Sequence, residues 1–363
     1  MRERLVAAAT PPPDPYKGIV LVQATPCYDL LVSLRALYNP RTFETTRGWA
    51  AATKAKLDPS LYERGKFFFQ GSDTALGYGA GQLVAGLGDA PQPQDLIEAV
   101  RAADSADLAL RMLDTGETSD ETLAIFSTFL GRTGTAAPTA SIEAILRELP
   151  VEWARRVRRV LGDPAGIQAE LADVLELYHA AIFALEVPHT EDDLRRAATM
   201  AEELLRVLPT AEVIERLTGG YTLGDDLALR QIVLAPSVFI HPFMSSRIDQ
   251  TAGRALVIFG ARSNAFLQYD PVPIDPELVR AMKALADPGR LRVLRLLGRG
   301  PMFGVELVEA LRLAQPTVHH HLAQLRSAGL VRQERTKGGM RYTVRRDAAG
   351  ATIKALERLL GGG

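Results

Sequence analysis

The chain has six histidines and one cysteine, and these set the first limits on its chemistry. His319, His320 and His321 run consecutively, which invites a metal. Neighbouring residues on a helix point about 100° apart, so three in a row cannot converge on one ion. His179, His189 and His241 lie far apart with no ligand spacing. Cys27, being alone, can form neither an internal disulfide nor a dithiol switch, and it reads as a small buried apolar residue. The pairs Asp192–Asp193 and Asp225–Asp226 fall where helix starts or turns are expected. They read as solvated caps, because acid–base work needs carboxylates that converge on a site. Gly77 to Gly86, GYGAGQLVAG, follows no convincing strand and does not end in Gly-Lys-Ser/Thr. It reads as a turn with close helix packing and not as a phosphate loop. No serine occupies a Gly-x-Ser-x-Gly elbow. No enzyme chemistry, no cofactor and no metal site is therefore expected.

Residues 304–346 offer a different chemistry. Asp287 before Pro288 suits a helix start, and ADPGRLRVLRLL places Leu291, Leu294 and Leu297 on one helical face. A short helix from Gly304 to Leu311 and a tight turn at Arg312–Ala314 lead into a third helix opening at Gln315–Pro316. Its residues Val318, Leu322 and Leu325 share one face, with His321 at the margin. Pro316, His319, His320 and Ala323 share the other, flanked by Thr317 and Gln324. Gly329 is placed to end that helix in a left-handed conformation. Two strand-like runs around TKGG then form a hairpin carrying Arg332, Arg335, Lys337, Arg341, Arg345 and Arg346. A helix with a free polar face fits a major groove, and a basic hairpin beside it suits phosphates. The expected partner is double-stranded DNA. Gln315, Thr317, His319, His320 and Gln324 are the candidate base readers, and Arg335, Lys337 and Arg341 the candidate phosphate contacts.

Charge is divided in the same way. From Asp275 onward there are 16 Lys and Arg against 8 Asp and Glu, and the remainder carries 26 against 35. A basic module is attached to an acidic one, and the acidic part is expected to face away from DNA. No apolar run is long enough for a membrane span, and MRERLVAAATPPPDP lacks the apolar stretch of a secretory signal. With one cysteine, a cytoplasmic protein is expected.

Ahead of the basic module, helical patterns dominate: Pro26–Tyr38, Gln94–Leu113, Thr118–Leu130, Ser141–Leu161, Ala165–Leu185, Glu191–Leu208 and Ala211–Leu217. Gly18–Gln23, Gln231–Ile240 and Ala255–Gly260 are short, apolar and β-branched, and are expected to pair into a small sheet. The fold class expected is mainly α: a large helical N-terminal domain with a small sheet, then a C-terminal winged helix-turn-helix. The expected division is a tail over 1–17, a sensor or dimerisation domain over 18–270, and a DNA-binding domain over 275–363. Aromatic residues at 67–69, 78, 178, 183, 239, 243, 259 and 266 could line an apolar pocket, though at this density a core is the commoner outcome.

Ala284 to Leu297, Gln315 to Val331 and the strand around Tyr342 resemble the ArsR (arsenic-repressor-like) family of winged-helix regulators, over about 85 residues, 276–360. The resemblance implies that the QPTVHHHL helix reads DNA. It also implies a homodimer formed through helices at Pro276–Ala286 and about Ala348–Leu360. Ala314 departs from it, since relatives usually carry a capping serine there, a loss of about 1 kcal/mol. The family's thiolate site needs two cysteines separated by one residue, and FGVELVEAL has none; its other site needs histidine on the last helix, and ATIKALERLL has none. Pro26 to Phe43 and Leu234 to Phe243 resemble the large N-terminal region of some long ArsR-like regulators. The function implied is a transcriptional regulator, a repressor, bound as a dimer to an inverted repeat. Two other readings stay open: a regulator whose N-terminal domain binds a small organic effector, and a DNA-organising protein without sequence preference.

Overall fold

A computed structural model describes residues 14–71, 75–115, 118–131, 139–249, 252–263 and 276–360. Most of the expected N-terminal tail, Phe266 and the segment before Pro276 lie outside them. Strand β1 (Val20–Val22) leads into α1 (Pro26–Tyr38), whose first turn is capped by the Thr25 hydroxyl accepting from the Cys27 N–H at 3.1 Å. All of α1 but Arg35 is buried, so it serves as the axis of the N-terminal body. Around it run α2 (Arg47–Lys56), α3 (Pro59–Phe69), α4 (Gly81–Val84), α5 (Pro93–Ala102), α6 (Ser105–Leu113) and α7 (Asp120–Phe129). There follow α8 (Thr139–Glu148), α9 (Val151–Gly162), α10 (Pro164–Tyr178), α11 (Ala184–Val207) and α12 (Thr210–Thr218). Then come β2 (Tyr221–Leu223), β3 (Gln231–Ser237), β4 (Met244–Asp249) and β5 (Arg254–Gly260).

The C-terminal part contains α13 (Pro276–Leu285), α14 (Pro288–Leu297), β6 (Met302–Phe303), α15 (Gly304–Leu311), α16 (Gln315–Ser327), β7 (Val331–Thr336), β8 (Gly339–Val344) and α17 (Arg346–Leu360). The mainly α class holds. Several helix boundaries differ from the expected ones, each for a local reason. The span 94–113 breaks at Asp104, whose carboxylate accepts from the Asp107 N–H and starts a new helix. The span 141–161 breaks at Pro150, which cannot donate to the preceding turn. In contrast, 165–185 and 191–208 run on through a π-helical turn at His179–Phe183 into α11, which carries Pro188 within it. A π turn shifts the hydrogen-bond register, a common accommodation near a helical proline. Asp192 and Asp193 consequently lie inside a long helix and not at a helix start. Helices α2 and α3 were not anticipated, although Asp58 caps α3 on two N–H groups just before Pro59.

The three expected strands pair as proposed, with a fourth at one edge. The order is β1-β3-β5-β4, parallel except for β4. Val20 faces Ile232, and Ile232 faces Ala255. Most of the aromatic residues go into the core beside this sheet. Phe68, Phe69, Tyr78, Tyr178, Phe183, Phe239 and Phe259 are buried, while Phe67 and Phe243 are partly so. Cys27 is buried as expected, and burial pushes its thiol pKa up to about 12.

The glycine-rich stretch is a close-packing device. A Cβ on Gly79 would stand 2.3 Å from the Arg111 carbonyl oxygen and 2.7 Å from the Met112 nitrogen, both backbone atoms of α6. Neither can swing away. Replacing Gly79 by alanine should therefore cost about 1–3 kcal/mol, the range for overpacking. A denaturant melt whose midpoint matched that of the natural protein would show that α6 can shift aside.

Candidate nucleic-acid interface

The winged helix has its own small core, separate from that of the helical body. Val293, Leu297, Leu307, Val318, Leu322, Leu325 and Val331 form it, with Tyr342 from the wing. In α14 the buried pair is Val293 and Leu297, while Leu291 is 48% exposed, so the face that turns inward is rotated from the leucine stripe expected. The Asp287 carboxylate caps this helix, accepting from the Arg290 N–H at 2.8 Å. Arg312 ends α15 with φ 53°, and Gly329 follows α16 with φ 69°. After α16 the Leu330 N–H reaches the Leu325 carbonyl at 2.9 Å and the Gly329 N–H the Arg326 carbonyl at 2.8 Å. This paired closure needs a left-handed residue, the role expected of Gly329.

Helix α16 buries Val318, Leu322 and Leu325 and starts at Ala314 without a side-chain cap. Gln315, Pro316, Thr317 and His320 are exposed on its first turns. His319 is half-buried, with its Nε2 near Gly304 at the start of α15. Gln324 is half-buried too, and lines a recess with Thr42, Glu44 and Phe243 of the helical body. His321 sits at the margin, its Nδ1 3.8 Å from the Asp287 carboxylate. Burial holds its pKa below the ordinary value, although Asp287 pulls the other way. Of the five candidate readers, the structure therefore brings Gln315, Thr317 and His320 together on a free surface. His319 and Gln324 touch protein.

The wing is built as expected from β7 and β8, antiparallel, with Thr336 facing Gly339 across its turn. Lys337 at the tip and Arg341 on β8 are exposed, and Arg341 is ion-paired with Glu334 across the hairpin. Arg335 is different. It is half-buried and lines a recess together with Asp114, Asp120 and Tyr221.

That recess exists because the wing has a strand from elsewhere in the chain. β2 pairs in parallel with β7, giving the order β2-β7-β8-β6. The Gln333 N–H donates to the Gly220 carbonyl at 2.6 Å and the Gly224 N–H to the Arg335 carbonyl at 2.7 Å. The Asp226 carboxylate accepts the Lys337 N–H at 2.7 Å, directly at the wing tip. Arg332 pairs with Glu215 of α12 at 3.1 Å, and Met340 packs against both cores. None of these joints was anticipated from sequence. The run Tyr-Thr-Leu after Gly219–Gly220 does carry a strand signal, but its partner is far along the chain, Tyr221 facing Gln333, and the neighbouring Asp226–Lys337 bond spans 111 residues.

Among the described residues no group of three or more His, Cys, Asp or Glu side chains could hold a metal ion. Among the described residues, no helix is long and apolar enough to cross a membrane.

Comparison with known proteins bears on the same segment. Residues 287–333 match the profile of the bacterial regulatory protein, arsR family. The chain is 35% identical over 78 residues to an uncharacterised HTH-type transcriptional regulator of Methanocaldococcus jannaschii, covering 21% of this chain and 88% of that protein. It is 46% identical over 61 residues to an arsenic resistance transcriptional regulator of Pseudomonas putida, covering 16% of this chain and 47% of the relative. It is 40% identical over 65 residues to the probable mercury resistance operon repressor of Streptomyces lividans, covering 18% and 52%. The chain thus spans most of the first relative and about half the length of the other two. No solved structure matches.

Proposed function

Because the chain belongs, through its C-terminal winged helix, to the ArsR family of bacterial regulatory proteins, we propose that it represses transcription by binding an inverted-repeat operator as a homodimer. The observation that supports this reading best is the first turn of α16. Val318, Leu322 and Leu325 are turned into the small core, while Thr317 and His320 point away from it and Gln315 is exposed at the start of the helix. A helix so placed can enter a major groove, where glutamine can make two hydrogen bonds to adenine. A dimer is supported by α13 and α17, which lie against each other and leave Met282 and Ile353 exposed, the latter by 58%. A two-fold dimer sets its half-sites about one helical turn apart. The metals in the names of the arsenic and mercury regulators belong to those proteins. This chain lacks the paired cysteines of the thiolate site, so its signal is proposed to be of another kind.

A second reading has its own support. The helical body grips the wing through β2 and closes a cavity against the winged helix, which suits a regulator whose DNA affinity responds to a small molecule. Footprinting of the full chain on genomic fragments tests the main proposal. A protected inverted repeat is expected, whereas uniform coverage without preference would point to a DNA-organising protein.

The wing contacts can be tested through salt. Each lost phosphate contact should lower the slope of log affinity against log salt by about one. Lys337→Ala is expected to do this, since Lys337 is exposed at the tip. Arg341→Ala should do so less fully because Glu334 already pairs with it. Arg335→Ala should leave the slope almost unchanged, because Arg335 lies against the helical body. A full unit lost from Arg335→Ala, with none lost from Lys337→Ala, would overturn this placement of the wing.

A further inference from the structure

We infer that the cleft between the helical body and the winged helix is a binding site for a small organic anion carrying two or more negative charges; this rests on the reading of the chain as a responsive regulator. The cleft has a volume of about 710 Å³, within the ~300–1,000 Å³ typical of small-molecule sites. Five arginines line it: Arg196 on α11, Arg216 on α12, Arg262 after β5, Arg280 on α13 and Arg345 at the end of the wing. Only two acidic residues line it with them, Asp193 and Glu277. Asp193 pairs with Arg196, and Glu277 with Arg262 at 2.6 Å. The partner of Arg216, Glu212, stands outside the cavity, as does Asp347 beside Arg345. The Arg262–Glu277 and Arg216–Glu212 pairs are exposed and such pairs contribute at most about 1 kcal/mol, so a multiply charged ligand can exchange partners with them. Arginine is suited to that task because its planar fork takes carboxylate or phosphate by two parallel bonds.

The rest of the wall fits an organic body. Met200, Leu204, Leu217 and Ala261 supply apolar surface. His241 also lines the cleft; burial, with Arg280 and Arg262 nearby, lowers its pKa to about 4. It is neutral at physiological pH and offers one donor and one acceptor.

The cleft is not part of the DNA-reading surface. The reading helix reaches it only through Ser327, with Ala328 and Gly329 just beyond its end. At 1.5 Å per residue these lie about 18 Å along the axis from Gln315. The arginines are supplied from both sides, Arg196 and Arg216 by the helical body and Arg280 and Arg345 by the winged helix. An anion bound between them therefore fixes the angle at which the winged helix is held. It changes DNA affinity only so far as it prefers one such angle, typically 5- to 150-fold for coupled sites.

The test uses the full chain with citrate, ATP and inorganic pyrophosphate as probes, in the absence of DNA and at constant ionic strength. Saturable thermal stabilisation by at least one of them is expected, beyond that given by sodium chloride. Arg216→Gln and Arg280→Gln should weaken it at least tenfold. Arg216 is exposed on α12, so its variant should fold, and its affinity for DNA without the anion should be unchanged. The active probe should also shift operator affinity in the natural protein by fivefold or more. The inference fails if no probe gives a saturable shift, if both variants respond as the natural protein does, or if random duplex DNA displaces the probe. Failure to bind any genomic site would instead sink the regulatory reading, and the measurement without DNA would still decide the cleft.

Discussion

Replacing Tyr221 by alanine should lower stability by about 3–5 kcal/mol, the range for a buried large aromatic, and should divide one melting transition into two. Tyr221 is fully buried and belongs to the core of the helical body. It also lies in β2, facing Gln333 across the parallel ladder, and borders the recess that holds Arg335 and Met340. The winged helix has a separate and much smaller core. This strand, the Arg332–Glu215 pair, the Asp226–Lys337 bond and Met340 are among the contacts that join the two cores. Once the aromatic ring is removed, the ladder loses the packing that holds it, and the smaller core should melt first. Calorimetry of the full chain reads both effects. A single transition, displaced by less than about 1 kcal/mol, would mean that the joint carries little of the coupling.

Replacing Gln315 by alanine should weaken operator binding roughly 5- to 150-fold, equivalent to the ~1–3 kcal/mol of a two-bond base contact. Binding to scrambled DNA at the same salt should hardly change. Gln315 is exposed at the start of α16, so folding should survive its replacement. His320→Ala should act in the same direction. His319→Ala and Gln324→Ala should affect sequence preference less, because one side chain is tucked beside α15 and the other beside the helical body. Equal losses on operator and scrambled DNA from Gln315→Ala would remove it from the base readers.

The winged helix was legible because its signals are local. Asp287–Pro288, Pro316 and Gly329 each announce a helix end through their own backbone chemistry, and the apolar spacing of α16 gave its inward face. The parallel sheet was legible too, since three short β-branched runs have few other places to go. Periodicity failed where two helices share a stripe across a break, as at Pro150, or where one helix continues through a proline, as at Pro188. It also failed on the half-burial of His319 and Gln324. Helical angle alone put them on the free side, but it carries no information about a neighbouring domain. The cleft was illegible for the same reason, since its arginines come from five separate segments.

The borrowed strand has a consequence for how the protein is assembled. β2 is synthesised more than a hundred residues before the hairpin it completes, the distance from Asp226 to Lys337 being 111. The emerging chain therefore carries an unpaired edge until that hairpin is made. Its brevity, three residues, limits the hazard of pairing with another chain. Long-range parallel pairing is slow to form, so the winged helix, made after the helical body, should settle after it. A fragment beginning at Pro276 would leave the ribosome with its outer edge bare. This reader of DNA is not a portable cassette; its sheet is finished only on the scaffold that was made ahead of it.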